Sequence, residues 1–159
     1  MSAAVRYRAM QAGEAEAVSA LILASFDEFI GPDYEGEEGI AEFRRFAAPE
    51  AIEARAAADH LVRVATVDGA LAGMIEIREH NHVALLFVDK AYQRRGIARG
   101  LLESALADAR AAAPDVERVT VNSSRYGVTA YERLGFRQTG PERSVNGIVF
   151  IPMAMRLAD

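Results

Sequence analysis

A short basic loop and the helix predicted after it carry the residue types best suited to binding a phosphate. Gly96 and Ala98 leave the start of that helix free of bulky side chains. Three arginines flank the same point: Arg94, Arg95 and Arg99. A helix N-terminus presents unpaired backbone N–H groups and a partial positive charge, so it binds an anion wherever side chains leave room. The loop alone fits either such a site or close helix-sheet packing with solvated arginines.

Two side chains near a predicted buried strand could accept a proton. His82 stands at the start of the run His82 to Val88, and the unperturbed pKa of histidine, about 6.5, suits a base at neutral pH. Glu76 is a polar residue among apolar ones on the preceding strand. Each has a plainer interpretation, His82 as a strand-end residue beside a polar turn and Glu76 as a side chain that faces solvent by alternation.

The composition excludes several other chemistries. Cysteine is absent, which rules out disulfides, thiolate metal ligands and a cysteine nucleophile, and three histidines leave little material for a metal site. The net charge of −5 argues against non-specific nucleic-acid binding. The apolar stretch from Val18 to Phe26 is too short to span a membrane, and the N-terminus lacks the apolar region of a secretory signal. We expect no metal, no nucleic acid, no membrane contact and a cytoplasmic location.

The elements that must position these residues follow from the hydrophobic pattern. A first strand near residues 5–10 precedes helical patterns at 14–29 and 40–47, with a further helical turn or two at 49–58. Asp68-Gly69 predicts a hairpin between the strands at 60–67 and 71–77. The run from His82 to Val88 is apolar on both faces, which is typical of a central strand. A helix, a strand, a second helix and two final strands complete the chain.

The predicted fold class is therefore α/β (α+β), with a mixed, mostly antiparallel sheet of about seven strands flanked by helices. The predicted order is β-α-α-β-β-β-α-β-α-β-β. At 159 residues, the chain is the size of a single domain over residues 1–159.

Two motifs in this order resemble those of the GNAT N-acetyltransferase superfamily. Gln93-x-x-Gly96-x-Ala98 after a buried strand resembles the coenzyme A signature of that superfamily. Downstream, the segment from Tyr131 to Phe136, Tyr-Glu-Arg-Leu-Gly-Phe, is similar to its aromatic-x-x-Leu-Gly-Phe segment. The resemblance covers about Leu61 to Leu157, and over the first 59 residues it is one of layout only.

The resemblance implies that acetyl-CoA is the cosubstrate. Its diphosphate would lie on the backbone N–H groups of residues 94–99, and its pantetheine arm would run along an unpaired edge of the buried strand. The family often has an asparagine seven residues before the tyrosine, where this chain has Ser124, with Asn122 two residues earlier. The residues assigned to the cofactor are Leu86, Phe87, Val88, Gln93, Arg94, Arg95, Gly96, Ile97, Ala98, Arg99, Asn122 and Ser124.

The resemblance also implies the catalytic residues. It places the phenol of Tyr131 near the sulfur of the cofactor, where it would protonate the departing thiolate. For the base, His82 ranks first, since it stands where some family members carry a glutamate. Glu76 ranks second, and a third alternative is that no dedicated base is needed.

The expected function is N-acetyl transfer to a primary amine, either a small molecule or a protein amino group. Asp33, Glu35, Glu37 and Glu38 could form an acidic rim that favours a cationic acceptor, although a solvated loop fits them equally well. A non-catalytic acyl-CoA-binding sensor is the main alternative, and a plain structural domain is the third. The final strands could mediate a homodimer.

Overall fold

The computed structural model describes residues 4–157 and places them in one eight-stranded sheet with five α-helices. The N-terminal segment for which the sequence predicts no secretory signal lies partly outside these residues. The strands are β1 (Val5–Ala9), β2 (Leu61–Val67), β3 (Ala70–Arg78), β4 (His82–Val88), β5 (Arg118–Ser123), β6 (Arg137–Gln138), β7 (Arg143–Val145) and β8 (Ile148–Arg156). The helices are α1 (Ala15–Ser25), α2 (Glu37–Phe46), α3 (Pro49–Ala57), α4 (Ile97–Ala112) and α5 (Val128–Leu134). No helix within residues 4–157 is long and apolar enough to cross a bilayer.

The sheet is mixed and mostly antiparallel, as the sequence predicts. Its strand order is β1-β2-β3-β4-β5-β8-β6, with β7 paired to β8. Only β4 and β5 run parallel, joined by the crossover helix α4. The hairpin predicted at Asp68-Gly69 is present, with both residues at positive φ (50° and 87°), as a type I′ turn requires.

The element count differs from the prediction in two places. Asn146-Gly147, also at positive φ, turns the chain back so that β7 pairs with the first residues of β8, which gives eight strands rather than about seven. Three helices, rather than two, precede β2, because Ala48 is extended and Pro49 begins a new helix at a position where proline is favoured.

The first helix also ends differently from the predicted span. The α-helical hydrogen bonding of α1 stops at Ser25, and residues Phe26–Ile30 form a π-helical turn followed by a short 3₁₀ turn at Gly31–Asp33. A π-turn inside a helix is frequent at functional sites. We call residues Asp27 to Asp33 the bridging segment, because its side chains contact residues that follow both β4 and β5.

Two hydrophobic clusters cover the two faces of the sheet. One packs α4 and Phe136 against Ile75, Val83 and Val121. The other packs α1 and α3 against the opposite face of β2, β3 and β4, through residues that include Val64, Met74 and Leu85. The run from His82 to Val88 is apolar on both faces because the central strand β4 contributes to both clusters.

Candidate active site

The strands β4 and β5 separate soon after they begin. Their parallel pairing is limited to His82 with Thr120 and Val83 with Val121. From residue 85 onward, β4 pairs only with β3 on its other side, and a bulge at Ala84 marks the point of change. The result is a V-shaped cleft between β4 and β5, closed at His82 and open at Val88.

The backbone of Leu86 and Val88 points into this cleft. The N–H of Asp89 bonds to the Ala72 carbonyl on β3 at 2.8 Å, so alternation turns the peptide groups of Val88 and Leu86 the other way. The Val88 carbonyl accepts a bond from Gln93 Nε2 at 3.2 Å. Side chains alternate too, with Leu86 and Val88 packing toward α4 and Phe87 toward α1 and α2.

The N-terminus of α4 follows directly and is not capped. Gly96 is the N-cap residue, with no side-chain bond to the first amides, and the first helical bond runs from Gly100 N–H to Gly96 O at 3.0 Å. Gly96 has φ of 77°, and a Cβ there would meet nothing within 4 Å, so the approach to the amides is open. Ile97 anchors this turn in the core.

The other glycine of the loop fits the packing interpretation. A Cβ on Gly100 would lie 2.0 Å from the Tyr7 hydroxyl, so Gly100 lets β1 approach α4 closely. The loop therefore fits both interpretations that the sequence left open. Gly96 leaves room for an anion at the helix start, and Gly100 allows close packing of α4 on β1.

The three arginines of the loop differ in their surroundings. All are exposed. The guanidinium of Arg95 lies 5.5 Å from the Tyr92 ring centroid, and Arg99 Nη2 donates to the Arg133 carbonyl at 2.6 Å. The bond of Arg99 fixes the start of α4 to the end of α5, the helix that carries Tyr131.

Tyr131 lies on α5, just after the open end of β5. Its ring packs on the same cluster as α4 and meets Phe136 edge-on at 5.3 Å between centroids. No described residue forms a hydrogen bond with the Tyr131 hydroxyl, and its oxygen is accessible to solvent. Burial of the ring raises the pKa of the Tyr131 phenol, so the group keeps its proton at neutral pH.

His82 lies at the closed end of the cleft. Its Nδ1 is 2.7 Å from Thr120 Oγ1 across the β4–β5 pairing. Burial and, secondly, the charge of Arg78 lower the pKa of His82 from 6.5 to about 4, against the opposing effect of Glu79. The expectation from sequence used the unperturbed value. Burial lowers the pKa of His82 below that value, so the imidazole is neutral at pH 7 and a weak base.

Glu76 is fully buried beneath α3. Its carboxylate receives two bonds from Arg55, Nε at 2.6 Å and Nη2 at 3.2 Å, and Oε2 lies 2.6 Å from His60 Nδ1. The plainer interpretation from sequence, in which alternation turns Glu76 to solvent, is therefore wrong. Glu76 joins helix α3 to the sheet.

Asn122 and Ser124 take up different positions around the end of β5. Asn122 is exposed and alternates with Val121, which faces α4, so it lies on the opposite face from Tyr131. Ser124 Oγ accepts the Gly127 N–H at 3.0 Å and so supports the turn into α5.

The sequence did not predict the ion pairs that hold the bridging segment over the open end of the cleft. Lys90, just after β4, bonds Glu28 at 2.8 Å. On the β5 side, Arg125 binds Glu142 through two nitrogens and lies 3.7 Å from Asp33. Asp33, one member of the predicted acidic rim, is thus partly neutralised. These contacts join residues distant in sequence, so no local pattern reveals them.

Two surface cavities lie elsewhere. One of about 420 Å³ is lined by Asn81 and residues at the end of α4, and one of about 240 Å³ is lined by His60, His80 and Asp108, among others.

Comparison with solved structures supports the architecture. The chain matches a GCN5-related N-acetyltransferase from Rhodopseudomonas palustris with a TM-score of 0.80, 21% identity and 99% of each chain covered. It matches the PaiA N-acetyltransferase from Thermoplasma acidophilum, solved with coenzyme A, with a TM-score of 0.78 and 17% identity over 97% of this chain and 99% of that one. The N-acetylglutamate synthase from Neisseria gonorrhoeae, complexed with coenzyme A and N-acetyl-glutamate, matches with a TM-score of 0.69 and 20% identity over 100% of this chain and 36% of that one. Similarity at these identities is evidence of the fold.

No protein with a curated description matches the chain significantly. The family itself is shown by sequence, because a family model described as an acetyltransferase (GNAT) domain matches residues 31–157. With well over half of its length matched and the fold in agreement, the chain belongs to the GNAT acetyltransferase family.

Proposed function

We propose that this protein is an acetyl-CoA-dependent N-acetyltransferase that transfers the acetyl group directly to a primary amine. The observation that carries the proposal is the continuity of two sets of backbone groups that make no hydrogen bond to other backbone groups of the described chain. The peptide groups of Leu86 and Val88 face the cleft, and the uncapped amides of α4 follow them along the chain. A pantetheine arm can bond to such a strand edge, and its diphosphate to such a helix start.

In this arrangement the thioester lies near the middle of β4. The acetyl carbonyl accepts a bond from the N–H of Leu86 or Val88, which stabilises the oxyanion that forms during attack. The arginines of the loop, Arg94 and Arg95 above all, add charge around the phosphates. Gln93 acts mainly as a support, since it already bonds the last carbonyl of β4.

The chemistry is a single displacement. The acceptor's ammonium group gives one proton to water, and the neutral nitrogen then attacks the thioester carbonyl carbon. The tetrahedral intermediate loses a second N–H proton to water and collapses with cleavage of the C–S bond. Tyr131 donates its proton to the leaving thiolate and later regains one from solvent, so that the products are the N-acetyl amine and free coenzyme A. Burial raises the pKa of Tyr131, and the same environment disfavours a thiolate, so the proton moves between two groups whose charged forms are both penalised.

The proposal assigns no dedicated base. Glu76 is engaged by Arg55 and His60, and His82 is a weak base with a pKa of about 4. Water accepts the first proton of the amine, which was the third alternative from sequence.

The rival function is a sensor that binds acyl-CoA without turning it over. The two are separated by Tyr131→Phe, with release of free thiol from acetyl-CoA measured against a panel of amines and cofactor affinity measured by calorimetry. We expect turnover to fall by about 100-fold or more while affinity changes little. Absence of thiol release by the wild-type protein with every amine, despite tight binding, would favour the sensor.

A further inference from the structure

Aromatic rings cover the face of the cleft that lies away from α4. Phe87 extends from β4 toward α2, where its ring centroid is 6.3 Å from that of Phe43. Phe43 stacks on Phe26 at 4.1 Å and 9°, and Tyr34 meets Phe26 edge-on at 5.2 Å. These rings join β4 and α2 to the two residues that flank the bridging segment, Phe26 and Tyr34, on one side of the sheet.

A second pair of rings continues this surface to β5. Phe29, three residues after Phe26 in the π-turn, stacks on Tyr126 with centroids 4.5 Å apart and planes 10° from parallel. Tyr126 follows β5 and is still 47% exposed. Phe29 packs against one face of the ring, so the exposed part of Tyr126 forms a flat aromatic platform supported by this stack.

The electrostatic surroundings of these rings favour a cation. The basic side chains that reach the bridging segment are each bonded to a carboxylate, namely Arg44 to Asp27, Lys90 to Glu28 and Arg125 to Glu142. Additional carboxylates lie nearby. Asp33 is 3.7 Å from Arg125, and Glu42 adds to the burial that raises the pKa of Tyr34 to about 12.

The direction of attack connects this surface to the reaction. A cofactor that runs from the α4 N-terminus along β4 occupies the α4 side of the cleft, so an amine reaches the carbonyl carbon from the opposite side. That side is the aromatic one, and the bridging segment is held across it from both strand ends. Such a covered entrance suits a compact molecule better than an extended peptide.

We propose, on the basis of the function proposed above, that the acceptor is a small primary amine carrying an aromatic ring. Its ring packs on the exposed part of the Tyr126 ring, its ammonium group is attracted by the surrounding carboxylates before deprotonation, and Phe29 holds Tyr126 in place. Tyr126 is thus a specificity-determining residue and Phe29 a positioning residue.

The test compares acetylation of phenethylamine, cyclohexylethylamine and a lysine-containing peptide, with steady-state thiol release as the measurement. Ring stacking predicts a kcat/KM for phenethylamine roughly three- to ten-fold above that for cyclohexylethylamine, which has similar size and charge but no flat ring. Tyr126→Ala should remove this preference, mainly through KM, and Tyr126→Phe should keep it. The control is Phe46, an aromatic residue of similar exposure that packs on Arg55 outside this surface. Phe46→Leu should leave the ratio of the two kcat/KM values unchanged.

The outcomes separate this inference from the function on which it rests. If cyclohexylethylamine or the peptide is acetylated as well as phenethylamine, or if Tyr126→Ala affects all acceptors equally, the inference is wrong and the acetyltransferase function stands. If no amine is acetylated although acetyl-CoA binds, the proposed function is wrong as well.

Discussion

At the scale of single residues, the sequence identified polar side chains on apolar strands but not their hydrogen-bond and ion-pair partners. Glu76 was a candidate base because it interrupts an apolar run, and the structure places it between Arg55 and His60 instead. These partners come from α3 and from the residue just before β2, and the periodicity of the sequence does not reveal such pairing. The uncapped helix start at Gly96 was predictable because it depends on local residues. The cofactor role of residues 93–99 stays a prediction.

The position of Glu76 predicts a structural role. Glu76→Gln removes a buried charge and leaves the partly buried Arg55 without its counter-ion, so the free energy of unfolding should fall by about 2–4 kcal/mol. Urea unfolding measures this change. Glu142→Gln, at an exposed ion pair, is the matched control and should change stability little. A large loss of turnover with unchanged stability would instead restore Glu76 as a catalytic base.

His82 predicts a dependence of stability on pH. Its pKa is lowered in the folded state, so between 6.5 and about 4 the unfolded chain binds more protons, and stability falls as the pH drops through this window. His82→Gln should remove this contribution, on the order of 1–2 kcal/mol after allowance for partial exposure. The difference between wild type and variant, followed by urea unfolding from pH 7.5 to 4, should narrow with falling pH.

The control for His82 is the exposed turn residue Asn81, which carries no titratable group. Asn81→Gln should shift stability by the same amount at every pH. An identical pH profile for wild type and His82→Gln would show that His82 is not held neutral.

At the scale of elements, most of the architecture was predictable because local patterns specify it. The Asp68-Gly69 hairpin, the two-sided strand β4 and the helix after Gly96 all follow from turn chemistry and periodicity. The π-turn after Ser25 and the short strand β7 were not predictable in detail, since tertiary packing decides them. The unpaired edge of β4 was expected from the family resemblance and not from local pattern.

The start of α4 gives a prediction at this scale. Gly96→Ala forces a side chain into left-handed backbone without a steric clash, so it should cost about 1–2 kcal/mol of stability or shift the turn. Either result misplaces the first amides, and affinity for acetyl-CoA measured by calorimetry should fall several-fold. Gly69→Ala introduces the same strain in the β2–β3 turn and should leave affinity unchanged. Unchanged affinity in Gly96→Ala would argue against a diphosphate at this helix.

At the scale of the whole molecule, the two sides of the cleft differ in charge and in the side chains that line them. The chain is acidic overall, yet the α4 side of the cleft carries the arginine-rich loop, while the opposite side carries the bridging segment with its carboxylates and rings. An anionic cofactor and a cationic acceptor would thus approach the same strand from opposite faces. The cytoplasmic location and the homodimer through the final strands stay predictions.

The central claim is that acetyl-CoA completes the unpaired edge of β4 and the start of α4. Hydrogen exchange of the backbone amides, followed across the whole chain by NMR with and without acetyl-CoA, tests it most directly. The amides of Leu86 and Val88 should exchange fast in the free protein, unlike that of Phe87, and both should become protected with those of residues 97–99 when the cofactor binds. Binding that leaves Leu86 and Val88 unprotected, or that protects residues around the cavity at Asn81 instead, would contradict the account.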